Sequence, residues 1–302
     1  MNSELPAIIR QHQPLKNYTT WGIGGTARWL AEPTAAQLPA LVSWAQRHAV
    51  PIYCLGRGSN VLIDDGGLPG LVILTRNSMA HLDLQDGYIV AEGGTFLPRL
   101  AKFAANQGFA GFEFLIGIPG TVGGAIALNA GLTVFRPREM TAIVKDFEVL
   151  TWDGTVQTLT MADVGAGYRH TDLLNGQGVV LRARFNLNHP ADPTQIKRNT
   201  LAHLAERKRK QPLDQLTAGS TFRSPPGSKG AGWYIEQAGL KGLQVGGARV
   251  SPVHANWIEN LGHASSQDVR ELIEHIQTTV EQQMGIQLQP EVCFLPNRLD
   301  NG

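Results

Sequence analysis

The chain has 302 residues, 42% of them hydrophobic and 17% charged, and its formal net charge is +1. So even a balance gives no reason to expect a nucleic-acid or acidic-membrane partner, and no apolar run approaches the roughly eighteen residues of a membrane span. The two cysteines, Cys54 and Cys293, lie outside any metal-ligand spacing and argue against a disulfide framework. Each is flanked by apolar residues and is expected inside a buried strand. The start of the chain shows no basic segment followed by an apolar stretch, so a cytoplasmic location is expected.

Three regions follow from the patterning: 1–76, 77–188 and 189–302. In the first, Leu38, Leu41, Val42 and Ala45 share one face of a helix predicted over 34–49. Short strands are expected at Ile52–Leu55 and Val61–Ile63, on either side of the turn Gly56-Arg57-Gly58-Ser59-Asn60. In the second region, a strand at 88–91 leads to a helix that Thr95 caps and Gly108 ends. Strands at 143–151 and 155–159 meet at Asp153-Gly154, a strong hairpin signal. Val179, Leu181, Ala183, Phe185 and Leu187 alternate with polar residues, as in a strand with one wet face. Residues 188–193 carry two prolines among polar residues and mark the boundary to the third region. That region opens with a helix over 194–209 and closes with one over 265–284. Ser265 and Asp268 form a capping box for the last helix, and Gly285 stops it. The mixture of short strands and helices predicts an α+β fold.

The 34 glycines cluster in loops. Gly56 to Asn60 exposes backbone N–H groups in a turn of small residues, which is either an anion cradle or a plain tight turn. Gly117-Ile118-Pro119-Gly120-Thr121-Val122-Gly123-Gly124 is the stronger candidate, since Thr121 to Ala127 can open a short helix towards a ligand. Neither loop fits the dinucleotide-binding GxGxxG pattern or the P-loop, so a Rossmann domain and a P-loop NTPase are both disfavoured.

At these residues a resemblance emerges. Gly56 to Asn60 resembles the first pyrophosphate loop of the vanillyl-alcohol-oxidase/PCMH-type flavoproteins. Gly117 to Gly124, continuing through Asn129-Ala130-Gly131, is similar to the loop of one branch, the UDP-N-acetylenolpyruvoylglucosamine reductase (MurB) family. Thr20-Trp21, Tyr168-Arg169, Ala218-Gly219-Ser220-Thr221-Phe222, Ala238 to Gly242, His254-Ala255-Asn256 and Leu288 to Val292 extend the likeness in order over nearly the whole chain. It implies two FAD-binding subdomains, 1–76 and 77–188, and a substrate-binding domain, 189–302, of the compact form of the family. It also implies non-covalent FAD, NADPH as hydride donor and a UDP-sugar substrate. The chain departs from the family in His170-Thr171, where a serine usually follows the Tyr-Arg pair, and in Phe222-Arg223-Ser224-Pro225 and Leu128.

The resemblance further implies roles for three residues. Arg169 matches the arginine that stabilises charge developing beside the substrate carboxylate, Ser220 the proton donor, and Glu291 the glutamate that assists the intermediate. Gly56, Arg57, Gly58, Ser59 and Asn60, with Gly117, Ile118, Pro119, Gly120, Thr121, Gly123 and Gly124, are expected to hold the cofactor. Taken singly, each catalytic candidate has an ordinary alternative: a surface arginine, a turn serine, an edge-strand charge. The basic run Arg207-Lys208-Arg209-Lys210 is either a solvated helix end or a partner for the substrate diphosphate. Lys241, His254 and Asn256 are divided between substrate contact and structural roles. Another flavin oxidoreductase of the same fold, acting on a sugar or alcohol, is the competing enzyme reading, and a non-catalytic flavin- or nucleotide-sugar-binding protein the other.

Overall fold

The computed structural model describes residues 5–132, 138–176, 178–187, 189–227 and 229–296. Asn188, at the start of the expected boundary segment, and residues 1–4 at the start of the chain lie outside them.

The chain opens with β1 (Arg10–Pro14) and β2 (Thr26–Ala31), then α1 (Leu38–Arg47), β3 (Ile52–Leu55), β4 (Val61–Ile63) and β5 (Leu68–Leu74). There follow β6 (Leu82–Gln85), β7 (Tyr88–Glu92), α2 (Leu97–Asn106), α3 (Val122–Ala127), β8 (Gly131–Leu132), β9 (Arg138–Glu139), β10 (Val144–Thr151), β11 (Val156–Leu159) and β12 (Gly178–Phe185). The last stretch holds α4 (Pro193–Lys210), α5 (Ala231–Gln237), β13 (Gln244–Val245), β14 (Ala248–Val250), β15 (Ile258–Asn260), α6 (Ser266–Met284) and β16 (Cys293–Leu295). The α+β expectation holds. No helix among the described residues is long and apolar enough to cross a membrane.

Packing divides the described chain into two units. One combines the residues up to Gln11 with Trp29–Arg57 and Gly70–Glu206. Its five-stranded antiparallel sheet has the order β11-β10-β12-β7-β6. Leu97, Leu100, Ala101 and Ala104 of α2 are buried in the same core as Ile89, Phe147 and Phe185 of the sheet, each large side chain contributing about 1.5–3 kcal/mol by burial. The hairpin at Asp153-Gly154 forms as the sequence predicts, with Leu150 paired to Val156 and Gly154 at φ +91°. In β12 the alternation slips. Glu148 pairs with Arg182 but Val149 pairs with Val180, so Leu181 sits in a bulge and Val180 takes a buried place.

The other unit combines His12–Arg28, Gly58–Pro69 and the chain from Arg207 onward. Here β13, β14 and β15 make an antiparallel meander, and β16 pairs in parallel with β4. Helix α6 buries Val269, Leu272, Ile273, Ile276 and Val280 at helical spacing. At its start the Ser265 side chain accepts the Asp268 N–H, Asp268 reaches back to the Ser265 N–H, and Gly285 ends the helix at φ +67°. Five buried aliphatic side chains outweigh the roughly 1 kcal/mol of a cap; the cap fixes where the helix begins.

Two further local expectations fail. Thr95 does not cap α2, because its hydroxyl donates to the His81 carbonyl (3.1 Å) and Phe96 takes the cap position without a side-chain bond. Cys54 lies in β3 as expected but on its exposed side, and Cys293 in β16 is half-buried.

Candidate active site

In the first unit, Gly117 ends a 3-10 turn (Glu113–Gly117), and the chain reverses through Ile118-Pro119-Gly120 into α3. Several amides of this loop are spent within the protein: Ile118 N–H donates to Leu115, Val122 N–H to Thr95 and Gly123 N–H to Gly93. Among the described residues, the amides of Gly120, Thr121 and Gly124 have no acceptor, although Thr121 is buried. Gly120 is half-buried and Gly124 exposed, so water can serve their amides; a buried amide such as that of Thr121 is ordinarily satisfied, and it points to a ligand that accepts a hydrogen bond.

The first glycine loop meets the second at this place. A Cβ on Gly56 would stand 2.2 Å from the Thr121 hydroxyl oxygen, and the Arg57 guanidinium lies 4.8 Å from the Phe96 ring centroid. Phe96 is bridged in turn to Thr121. Small residues, unpartnered amides and one exposed guanidinium suit an anionic group such as the diphosphate of FAD. The rest of the loop belongs to the other unit. There Gly58, at φ +61°, leaves no room for a Cβ, which would come within 2.3 Å of the Tyr18 carbonyl oxygen. Ser59 is half-buried.

Tyr168 and Arg169 form the tip of a tight reversal closed by reciprocal hydrogen bonds between Gly167 and His170. Arg169 adopts a left-handed backbone, φ +54°, which is uncommon for a side chain of this size. Its Nη2 donates to the Gly131 carbonyl (2.6 Å), its Nη1 lies 3.5 Å from Glu139 Oε1, and its guanidinium lies 5.0 Å from the Tyr168 ring centroid. At the His170-Thr171 departure, Thr171 is fully buried and its hydroxyl donates to Ala127 at the end of α3 (2.7 Å). A hydroxyl thus ties the arginine turn to the glycine-loop helix, while His170 pairs with Asp172 at 3.6 Å near the surface.

In the second unit, Ser220, Thr221 and Phe222 run between two other segments. On one side Ser220 is bridged to Trp257, and Thr221 N–H donates to Asn256. On the other, Glu291 N–H donates to Thr221 (2.8 Å) and Arg223 N–H to Gln289 (2.9 Å). Asn60 joins the same arrangement, its amide donating to the Glu291 carbonyl (3.0 Å) while its own carbonyl accepts from Cys293. Ser220, Glu291 and Asn60 are therefore brought together on neighbouring backbone.

The residues with divided roles now separate. Asn256 uses its side-chain amide as a strand partner for Phe222, accepting its N–H (3.0 Å) and donating to its carbonyl (2.8 Å), so its role is structural. Lys241 pairs with Glu236 at 2.8 Å. Within the basic run, Lys208, Arg209 and Lys210 are exposed, but Arg207 turns inward. Its Nε donates to Gln211, its buried Nη1 has no partner among the described residues, and burial pulls its pKa down to about 10. Burial, then the charge of Lys241 and more weakly that of Arg207, lowers the pKa of His254.

Two family models match separate parts of the chain. Residues 30–160 match an FAD binding domain, and residues 211–295 match the C-terminal domain of UDP-N-acetylenolpyruvoylglucosamine reductase. A reductase of that name from Synechococcus sp. (strain WH7803) is 42% identical over 287 residues, covering 94% of this chain and 92% of the relative. The chain belongs to the UDP-N-acetylenolpyruvoylglucosamine reductase family. The reductase from Acaryochloris marina (strain MBIC 11017) is 40% identical over 305 residues and 98% of both chains. The crystal structure of the reductase from Thermus caldophilus superimposes with a TM-score of 0.81 at 36% identity, over 95% of this chain and all of that one. Membership of the reductase family makes this protein a flavin-dependent oxidoreductase, with FAD as its cofactor.

Sequence reasoning missed Asn129 and Glu139 as members of this site. Asn129 was visible only as part of the Asn-Ala-Gly motif, and Glu139 stands in a two-residue strand with no periodic signal.

Proposed function

We propose that this reductase uses NADPH to reduce the enolpyruvyl double bond of UDP-N-acetylenolpyruvoylglucosamine, in the cytoplasm, as a step of peptidoglycan precursor synthesis. The observation that supports the reading is the backbone pairing of Glu291 with Thr221, the neighbour of Ser220, within the segment matching the reductase C-terminal domain. The chemistry that FAD supplies when bound is relay of a hydride from the nicotinamide to the substrate.

The residues of the chain divide the remaining work. Residues 1–76 and 77–188 hold the cofactor, with Gly56 to Asn60 and Gly117 to Gly124 around its diphosphate, and residues 189–302 take the UDP-sugar. The Arg169 guanidinium, permanently charged and planar, balances negative charge growing beside the substrate carboxylate. Ser220 gives up the proton; a hydroxyl is a weak acid, so it acts only on a strongly basic carbon centre. Glu291 supports that centre through its carboxyl group. The half-buried Arg207, whose buried Nη1 has no partner among the described residues, suits the substrate diphosphate.

The test is spectroscopic. The purified protein should be yellow, or become so with FAD, and NADPH should bleach it without oxygen. Adding the enolpyruvyl UDP-sugar should then restore the colour. A protein that cannot take up FAD, or whose bleached form is not reoxidised by this sugar nucleotide, refutes the proposal.

A further inference from the structure

Around Arg169 lies a polar network that the reaction as described does not use. The Asn129 amide is 1% exposed, yet it makes four hydrogen bonds, the full capacity of the group. Its Oδ1 accepts from the Thr141 N–H (3.1 Å) and hydroxyl (2.7 Å); its Nδ2 donates to the Gly167 carbonyl (2.9 Å) and to Glu139 Oε2 (2.9 Å). Gly167 closes the reversal that carries Arg169, and the other oxygen of Glu139 faces the Arg169 guanidinium at 3.5 Å. Gly131 and Glu139 are register partners in the β8–β9 pair. The two amino groups of the guanidinium thus face one rung of that ladder, Nη2 on Gly131 and Nη1 on Glu139.

The backbone bears the same mark. Asn129 and Arg169 both have positive φ, +41° and +54°. Asparagine tolerates this region, whereas arginine adopts it only under strain. Such a conformation persists only where surrounding contacts over-determine it, and Asn129 supplies one through Gly167. Charge alone does not explain Glu139. A carboxylate beside Arg169 weakens its field towards an anionic substrate, so its benefit must lie in fixing the direction of the guanidinium.

We infer that Asn129 and Glu139 are positioning residues that orient the Arg169 guanidinium for the substrate-reducing step, Glu139 by direct contact and Asn129 by bracing both Glu139 and the Gly167–His170 turn. The inference rests on the role proposed for Arg169.

The experiment follows the two half-reactions of the FAD-loaded enzyme separately, by anaerobic rapid mixing, in Glu139→Gln, Asn129→Gly, Arg169→Ala and the double variant Glu139→Gln/Arg169→Ala. Glutamine is isosteric with glutamate, and glycine accepts the left-handed backbone of position 129. Reoxidation by saturating enolpyruvyl UDP-sugar should slow roughly tenfold in Glu139→Gln and in Asn129→Gly, a factor typical of losing one charge-assisted contact. Reduction by NADPH and the melting temperature of Glu139→Gln should stay at the parent values, and Glu139→Gln should add nothing in the Arg169→Ala background. Unchanged reoxidation in Glu139→Gln, equal slowing of both half-reactions, or a full additional loss in the double variant overturns the inference while leaving Arg169 in its role. Normal reoxidation in Arg169→Ala removes the role of Arg169, and the inference with it.

Discussion

Gly56 and Thr121 approach so closely that a Cβ on Gly56 would stand 2.2 Å from the Thr121 hydroxyl oxygen and 3.3 Å from its Cβ and Cγ2. Two glycine loops that lie far apart in sequence therefore share one wall, and it has no room for a methyl group. Gly56→Ala must push Thr121 aside, at an overpacking cost of about 1–3 kcal/mol. Because Thr121 carries one of the unpartnered amides, flavin affinity should fall by roughly ten- to a hundredfold. Adding Thr121→Ala removes the hydroxyl and methyl that clash, and should recover much of that loss. Fluorescence titration with FAD decides it: wild-type affinity in Gly56→Ala would show that the contact does not shape the cofactor site.

Asn256 replaces a strand with a side chain. By accepting the N–H of Phe222 and donating to its carbonyl, the amide completes a ladder that otherwise stops, and Phe222 is itself 1% exposed. Asn256→Ala leaves a buried donor and a buried acceptor without partners, at about 1–3 kcal/mol each. The variant should be destabilised by roughly 2–4 kcal/mol in urea unfolding. Since the Ser220–Phe222 segment rests on this residue, substrate turnover should fall more than flavin reduction by NADPH. An unfolding midpoint equal to that of the parent would contradict the ladder.

Ser220 and Glu291 should separate the two half-reactions. In Ser220→Ala the flavin should still bleach with NADPH, while its reoxidation by the enolpyruvyl sugar nucleotide drops by orders of magnitude, general acid help being worth about a hundredfold or more. Glu291→Gln keeps shape and hydrogen bonding but not the acid, and should slow the same half-reaction. Rapid mixing reads both rates; equal losses in the two half-reactions would refute the proton-donor role.

Features that depend on neighbours in sequence were legible in advance. The strands Ile52–Leu55 and Val61–Ile63, the turn at Asp153-Gly154 and the Ser265–Asp268 box all follow from local propensity and side chains within reach. Expectations failed where a distant partner competes. Thr95 could reach its own helix but bonds His81 instead, and the bulge at Leu181 arises from its register with β10. Both glycine loops announced themselves by composition, yet nothing local says that Gly56 abuts Thr121. Arg169, Ser220 and Glu291 stand out only through the resemblance of the surrounding motifs. Asn129 and Glu139 escaped because ten residues and a change of strand separate them, and only the folded β8–β9 pair brings both to Arg169.

The start of α6 carries a pH signature. The Asp268 carboxylate accepts the N–H groups of Gly247 and Ser265, both at 3.0 Å, and these bonds, that from Gly247 foremost, hold its pKa below the ordinary carboxylate value. A folded pKa below the unfolded one means that the unfolded chain takes up the proton first. The contribution is therefore complete above the unfolded value, near 4, and is lost as the pH falls through the folded value. Asp268→Asn keeps the shape but not the charge, and should lower stability by about 0.5–1 kcal/mol near neutral pH, the modest figure reflecting the solvent around this carboxylate. The gap between wild type and variant in urea unfolding should narrow between about pH 5 and pH 3. A gap that stays constant over this range would mean that the carboxylate's charge contributes nothing and that the cap works by shape alone.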